Sequence, residues 1–164
     1  MLVDLYELAR ETDTNYLANE ELTKFEEFSH SFATRIAVYN KLKNAEGQIL
    51  TELYRQVNYT YPNWFVFNGK DVSTRCKEEV QFAFRYAVQA ILLGEDWLQT
   101  NFLLWFQTII QSLKLQLVCE VIYQTLENLL KASLPEAEGK IICPIIHTVR
   151  KSLTVGLESK SAKD

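Results

Sequence analysis

Residues that carry metal, disulfide or catalytic chemistry are scarce in this sequence, whose 164 positions hold three cysteines, two histidines and one methionine. Cys76, Cys119 and Cys143 stand far apart without a CxxC pair, so neither a structural zinc site nor a disulfide framework is expected, and a reducing compartment fits best. No nucleophile elbow, phosphate-cradling glycine loop, HExxH pair or clustered acid pair occurs, which leaves catalysis without visible residues; the chain reads as a non-enzyme. Long apolar runs are missing as well. The most hydrophobic stretch, Tyr86 to Leu117, is broken by Gly94, Glu95 and Asp96 and carries Gln89, Gln99, Asn101, Gln107 and Gln111, so it reads as two buried helices and not as a membrane span. The first thirteen residues carry acids and no basic flank, unlike a signal peptide, and nothing directs export. Lys and Arg number 17 against 21 Asp and Glu. The basic residues are scattered, without the basic stripe that nucleic acid binding needs.

What is present is an apolar, helix-patterned chain, 48% hydrophobic, long enough to bury one core. Leu2, Leu5, Leu8 and Ala9 recur at helical spacing before Thr12, Asp13, Thr14 and Asn15 break the pattern. Asn19 is placed to cap a second helix, with Leu22, Phe25, Phe28, Phe32, Ile36 and Tyr39 on one face, running to about Lys43. Gly47 then marks a bend, and Ile49 to Val57 supply a further short helix that fails near Asn58. Residues 58–72 read as loop, an unusual one because Tyr59, Tyr61, Trp64, Phe65 and Phe67 crowd it. Those rings either plug the core or form a docking patch.

Ser73 or Thr74 would cap the next helix, whose buried face includes Val80, Phe84, Ala87, Ile91 and Leu92 and which Gly94 ends. Helices are expected over Trp97 to about Ser112 and Leu115 to Lys131. Pro135 stands where another would begin, and the apolar run 141–153 would either kink or start at Pro144. The run 140–146 is also rich in β-branched residues. The expected organisation is one all-α domain over residues 1–153 with a frayed tail over 154–164.

From Arg75 the string RCKEEVQFAFRYAVQAILLGEDWL resembles the chromophore-bearing helix of the phycobiliprotein family, the proteins of the phycobilisome. There a cysteine is followed at three by an acid, at nine by arginine and at eighteen by glycine; here these are Cys76, Glu79, Arg85 and Gly94. The order and lengths of the flanking helices extend the resemblance over nearly the whole chain. It implies a globin-like all-α domain with two extra N-terminal helices that pair one subunit with another through residues 1–35, Asp13 falling at the pairing acid. Two departures stand out. Glu78 replaces the arginine that commonly follows the cysteine at two, removing a propionate partner, and the glycine-rich turn after the helix is reduced to Gly94-Glu95-Asp96. The chain resembles a divergent allophycocyanin- or phycocyanin-like member.

The resemblance implies a bilin, an open-chain tetrapyrrole, joined by a thioether to Cys76, with Glu79 on the same helical face accepting hydrogen bonds from its pyrrole N–H groups. Lys77 or Arg85 would pair with propionates, and Tyr59, Tyr61 and Trp64 would pack over the ring plane. The helix N-terminus, Arg75 and Lys77 favour a thiolate at Cys76, while Glu78 and Glu79 oppose it. Without the resemblance, Cys76 would read as a small buried hydrophobe, as Cys119 and Cys143 still do. Neither His30 nor His147 falls where a proximal haem ligand belongs, so no haem is expected, and no metal.

Two functions follow. The first is an accessory light-harvesting or pigment-handling protein with bilin at Cys76. The second is a non-pigmented interaction module that aids assembly or regulation of a phycobilisome or photosystem. Either implies a cyanobacterial setting, in the cytoplasm or peripheral at the thylakoid surface, with a phycobiliprotein-like subunit or a second copy as partner in a dimer. A globin-type sensor domain shares the fold and is a third reading.

Overall fold

The computed structural model describes residues 16–62, 66–67, 70–71 and 73–157. The short helix expected over residues 2–12, together with Asp13 and Trp64, lies outside the described residues. Helices dominate: α1 (Asn19–Thr60), α2 (Ser73–Leu93), α3 (Glu95–Leu98), α4 (Leu104–Leu113), α5 (Gln116–Ser133) and α6 (Glu136–Leu153). A π-helical turn, Gln99–Leu103, carries α3 into α4.

α1 corrects the expected bend. It passes through Gly47 as one 42-residue helix, in place of a helix to Lys43 and a second over 49–57. A glycine inside a helix costs only about 1 kcal/mol relative to alanine, and the buried stripe of Val38, Leu42, Leu50, Leu53 and Val57 continues past it and outweighs that cost. The start of α1 also differs from expectation. Ala18 is the N-cap and Asn19 is already helical, while the Glu21 carboxylate accepts from the Ala18 N–H at 2.7 Å. At α2 the capping side chain is Asp71, whose Oδ1 accepts from the Ser73 N–H at 2.8 Å, and not Ser73 or Thr74.

The segment read as loop holds a two-residue antiparallel ladder, β1 (Val66–Phe67) with β2 (Lys70–Asp71). Asn68-Gly69, the dipeptide that favours tight hairpin turns, separates them in the sequence and is the signal that would have given it. At the other end, Gly94 takes a φ of 93°, a value side-chain-bearing residues rarely adopt, and so terminates α2 as expected. Pro144 sits inside α6, which starts after Pro135 and not at Pro144; the ring faces solvent, where the unpaired backbone group of the preceding turn is wetted.

α2 is the central element, packed against α1 and α6, while α5 and α6 lie along one another as a hairpin joined by Leu134 and Pro135. Ala83, Ala87 and Ala90, all wholly buried, form a small-residue face that lets neighbouring helices approach α2 closely. Phe84, Ile91, Phe102, Leu126 and Ile142 complete the core. Among the described residues Glu127 is the buried charged group. Lys131 Nζ lies 2.6 Å from its carboxylate, His147 Nδ1 3.4 Å and Arg150 Nε 3.5 Å, so the acid joins α5 to α6. Among the described residues no helix is long and apolar enough to cross a membrane.

Two outcomes are expected. Gly47→Ala should raise stability by about 0.5–1 kcal/mol in a urea titration, because a Cβ there meets nothing within 4 Å. Burial alone would raise the pKa of Glu127, but Lys131, His147 and Arg150 outweigh it and hold the carboxyl below its ordinary 4.5. Its contribution is therefore present above that value and lost as pH falls through the lowered one. Glu127→Gln should lower stability at neutral pH and give a shallower acid limb across a urea series from pH 7 down to about pH 3.

Candidate functional site

Cys76 lies in the first turn of α2, on the side that faces α4 and α5. The register of α2 puts Glu79 and Val80 beside it, and Phe106, Ile110, Val118, Cys119 and Ile122 close the space opposite. The cavity these residues enclose is about 20 Å³, room for little more than one water. Cys76 is 8% exposed. Burial pushes its thiol up, Glu79 adds to that, and Arg75 opposes without prevailing. The contest between helix start and acids thus resolves toward the neutral thiol. Cys119, lining the same space, is pushed up to about 12 by burial.

The expected partners of Cys76 do not all converge on it. Glu79 does, although its carboxylate also accepts from Arg75 Nε at 2.9 Å on the preceding turn. Lys77 leans toward α1, with Nζ 5.4 Å from the centre of the Tyr54 ring, and the Tyr54 hydroxyl donates to the Lys77 carbonyl at 3.0 Å. Arg85, nine residues after Cys76, is half a turn round the helix. It forms a bidentate pair with Glu46 of α1, with Nε and Nη2 donating at 2.9 and 2.7 Å. Tyr59 and Tyr61 are exposed around the end of α1, and neither lines the Cys76 cavity.

Sequence reading missed the ring array beside the site. Trp97 stacks on Tyr86 (5.5 Å between centroids), Tyr86 on Phe102 (4.6 Å) and Phe102 on Phe106 (4.8 Å), with Phe82 and Trp105 at the flanks. The signal was available in the spacing of Phe82 and Tyr86 at four and of Phe102, Trp105 and Phe106 at three and four. Phe106 belongs both to the array and to the wall of the Cys76 cavity, so the stack closes that cavity on the α4 side. Phe82 and Trp105 keep nearly half of their surface exposed.

The family model for phycobilisome proteins matches residues 8–153. A search of the curated proteins finds no match. Phycobiliproteins typically carry covalent bilins, and the described residues about Cys76 do not fit that group. Small-molecule sites occupy about 300–1,000 Å³, an order of magnitude above the cavity here, and thioether formation needs a reachable thiolate where the structure holds a buried neutral thiol.

All three free cysteines are buried and their thiols raised, primarily by burial. Alkylation by iodoacetamide at pH 8 should therefore run at least about tenfold slower in the folded protein than in urea, with the fastest-labelled site read by peptide mass. Fast labelling of Cys76 in the folded state would show a thiol far more accessible than this packing allows.

Proposed function

Since the chain belongs to the phycobilisome protein family, we propose that it is a chromophore-free relative acting through protein contacts, an interaction module in assembly or regulation of a phycobilisome or photosystem. The observation that carries this reading is the narrow Cys76 site, with its cavity of about 20 Å³ and buried thiol. The family's fold is kept, and Phe106, Ile110, Val118 and Ile122 crowd the space beside Cys76 where the resemblance would put a pigment. Family membership sets aside the globin-type sensor reading. Phycobiliproteins are pigment-bearing structural subunits and not enzymes, and no catalytic step is assigned.

The first half of α1 supports the contact role. Leu22, Phe25, Phe32 and Ile36 recur at helical spacing and are each about 40% exposed or more, forming a stripe that continues through Phe28. Arg35 lies on the same stretch, 5.0 Å over the Phe28 ring, and its buried Nη1 has no hydrogen-bond partner among the described residues. An acid from a pairing subunit would satisfy it. Asp13, lying outside the described residues, keeps the pairing role as part of this proposal. The partner is a second copy or a phycobiliprotein-like subunit, and the proposed setting is the cytoplasmic surface of the thylakoid.

Co-expression with bilin-synthesis enzymes and a panel of lyases tests the pigment half. The expected product is colourless and shows no zinc-enhanced fluorescent band on a denaturing gel. A band present in wild type and absent in Cys76→Ala would establish the pigmented alternative. For the contact half, sedimentation velocity should show concentration-dependent association that the Phe25→Glu, Phe32→Glu double variant removes.

A further inference from the structure

On the face of α2 turned away from Cys76 lies a second, more open space. It is a cleft of about 450 Å³ between α1 and α2, floored by the buried side chains of Phe84 and Val88. Its volume falls in the range of small-molecule sites. The Arg85–Glu46 pair stands at its edge, Glu46 held also by the Gln81 amide. This fixes the carboxylate: the Arg85 hydrogen bond, more than burial opposes it, holds Glu46 below its usual range, ionised and committed within the protein. The polar groups left over, the Tyr39 hydroxyl among them, can all donate. Arg85 uses Nε and Nη2 on Glu46 and leaves Nη1 uncommitted, and Lys43 and Gln89 line the rim without a partner among the described residues. With Glu46 neutralising one of the two cations, the cleft retains one net positive charge.

Gly47 is the second observation. It lies well inside α1, its φ is not in the left-handed region, and a Cβ there would meet nothing within 4 Å. Neither backbone conformation nor close packing calls for glycine, although glycine is a poor helix former. What its missing side chain provides is room: Gly47 lines this cleft and also two hollows beside it, of which only this cleft carries Lys43 and Arg85. Local sequence choices that work against the fold are characteristic of functional sites.

We infer that the cleft between α1 and α2 binds a small organic carboxylate with an apolar ring or chain, its anion on Lys43 and Arg85 and its body on Phe84 and Val88. The site is independent of the Cys76 reading, since it lies on the opposite face of α2 and shares no lining residue with the Cys76 cavity.

The test titrates isotope-labelled full-length protein with 1-naphthoate and, separately, with uncharged 1-naphthamide, following backbone amides by NMR. Naphthoate should shift Lys43, Gly47, Arg85 and Gln89 saturably and one-to-one, with the amide about tenfold weaker. Lys43→Glu should weaken naphthoate about tenfold. Gly47→Phe, which places a ring in the cleft, should abolish binding with an unchanged circular dichroism spectrum. Lys43→Glu, at an exposed side chain, keeps the test decisive if the phenylalanine variant does not fold. No shifts at about 1 mM ligand, equal affinity for acid and amide, shifts confined to the Leu22–Ile36 stripe, or binding unchanged in a folded Gly47→Phe would each overturn the assignment.

Discussion

Close approach of helices to α2 is the constraint on which the rest of the molecule depends. Ala83, Ala87 and Ala90 bring no side-chain bulk to the contact and are wholly buried, so α1 and α6 can sit near the α2 backbone while Phe84 and Ile91 fill the gaps between them. Interiors are packed as densely as organic crystals, and a helix gripped from several sides has little freedom to rotate. Its register therefore decides which side chains face which neighbour. Cys76 is turned toward α4 and α5, and Arg85 toward α1, because the two are half a helical turn apart on one rigid element.

That fixed register gives the two faces of α2 opposite characters. Toward α4 and α5 the surroundings are aromatic and aliphatic, and the ring array from Trp97 to Phe106 leaves a void of about 20 Å³. Toward α1 a glycine and three cation- or amide-bearing side chains keep a cleft of about 450 Å³ open. The difference between the two faces is one of bulk: Phe106 and Ile110 line the first space and Gly47 the second.

Much of the fold was legible in the sequence, because its core is built from helical spacing of large apolar residues and its breaks from Gly94 and Pro135. Where reading failed, the competing force was tertiary. Gly47 has the local signature of a bend, but Leu42 and Leu50 on either side are both buried and hold the helix continuous through it. The caps at Ala18 and Asp71 were missed because Glu21 and Asp71 reach the helix ends from flanking positions. Site residues were harder to read. Spacing correctly placed Glu79 beside Cys76, yet spacing alone cannot report that Phe106, thirty residues on, closes the same space, nor that Glu46 holds Arg85 on the far side.

The continuity of α1 has a mechanical consequence. At 1.5 Å per residue its 42 residues span about 63 Å, and the first wholly buried position along it is Val38. A helix unbroken at Gly47 transmits force and orientation from its apolar N-terminal stripe to the packed core as a single strut. A group held against Leu22 to Ile36 would thereby be fixed in angle and distance relative to the core, along one uninterrupted run of backbone hydrogen bonds.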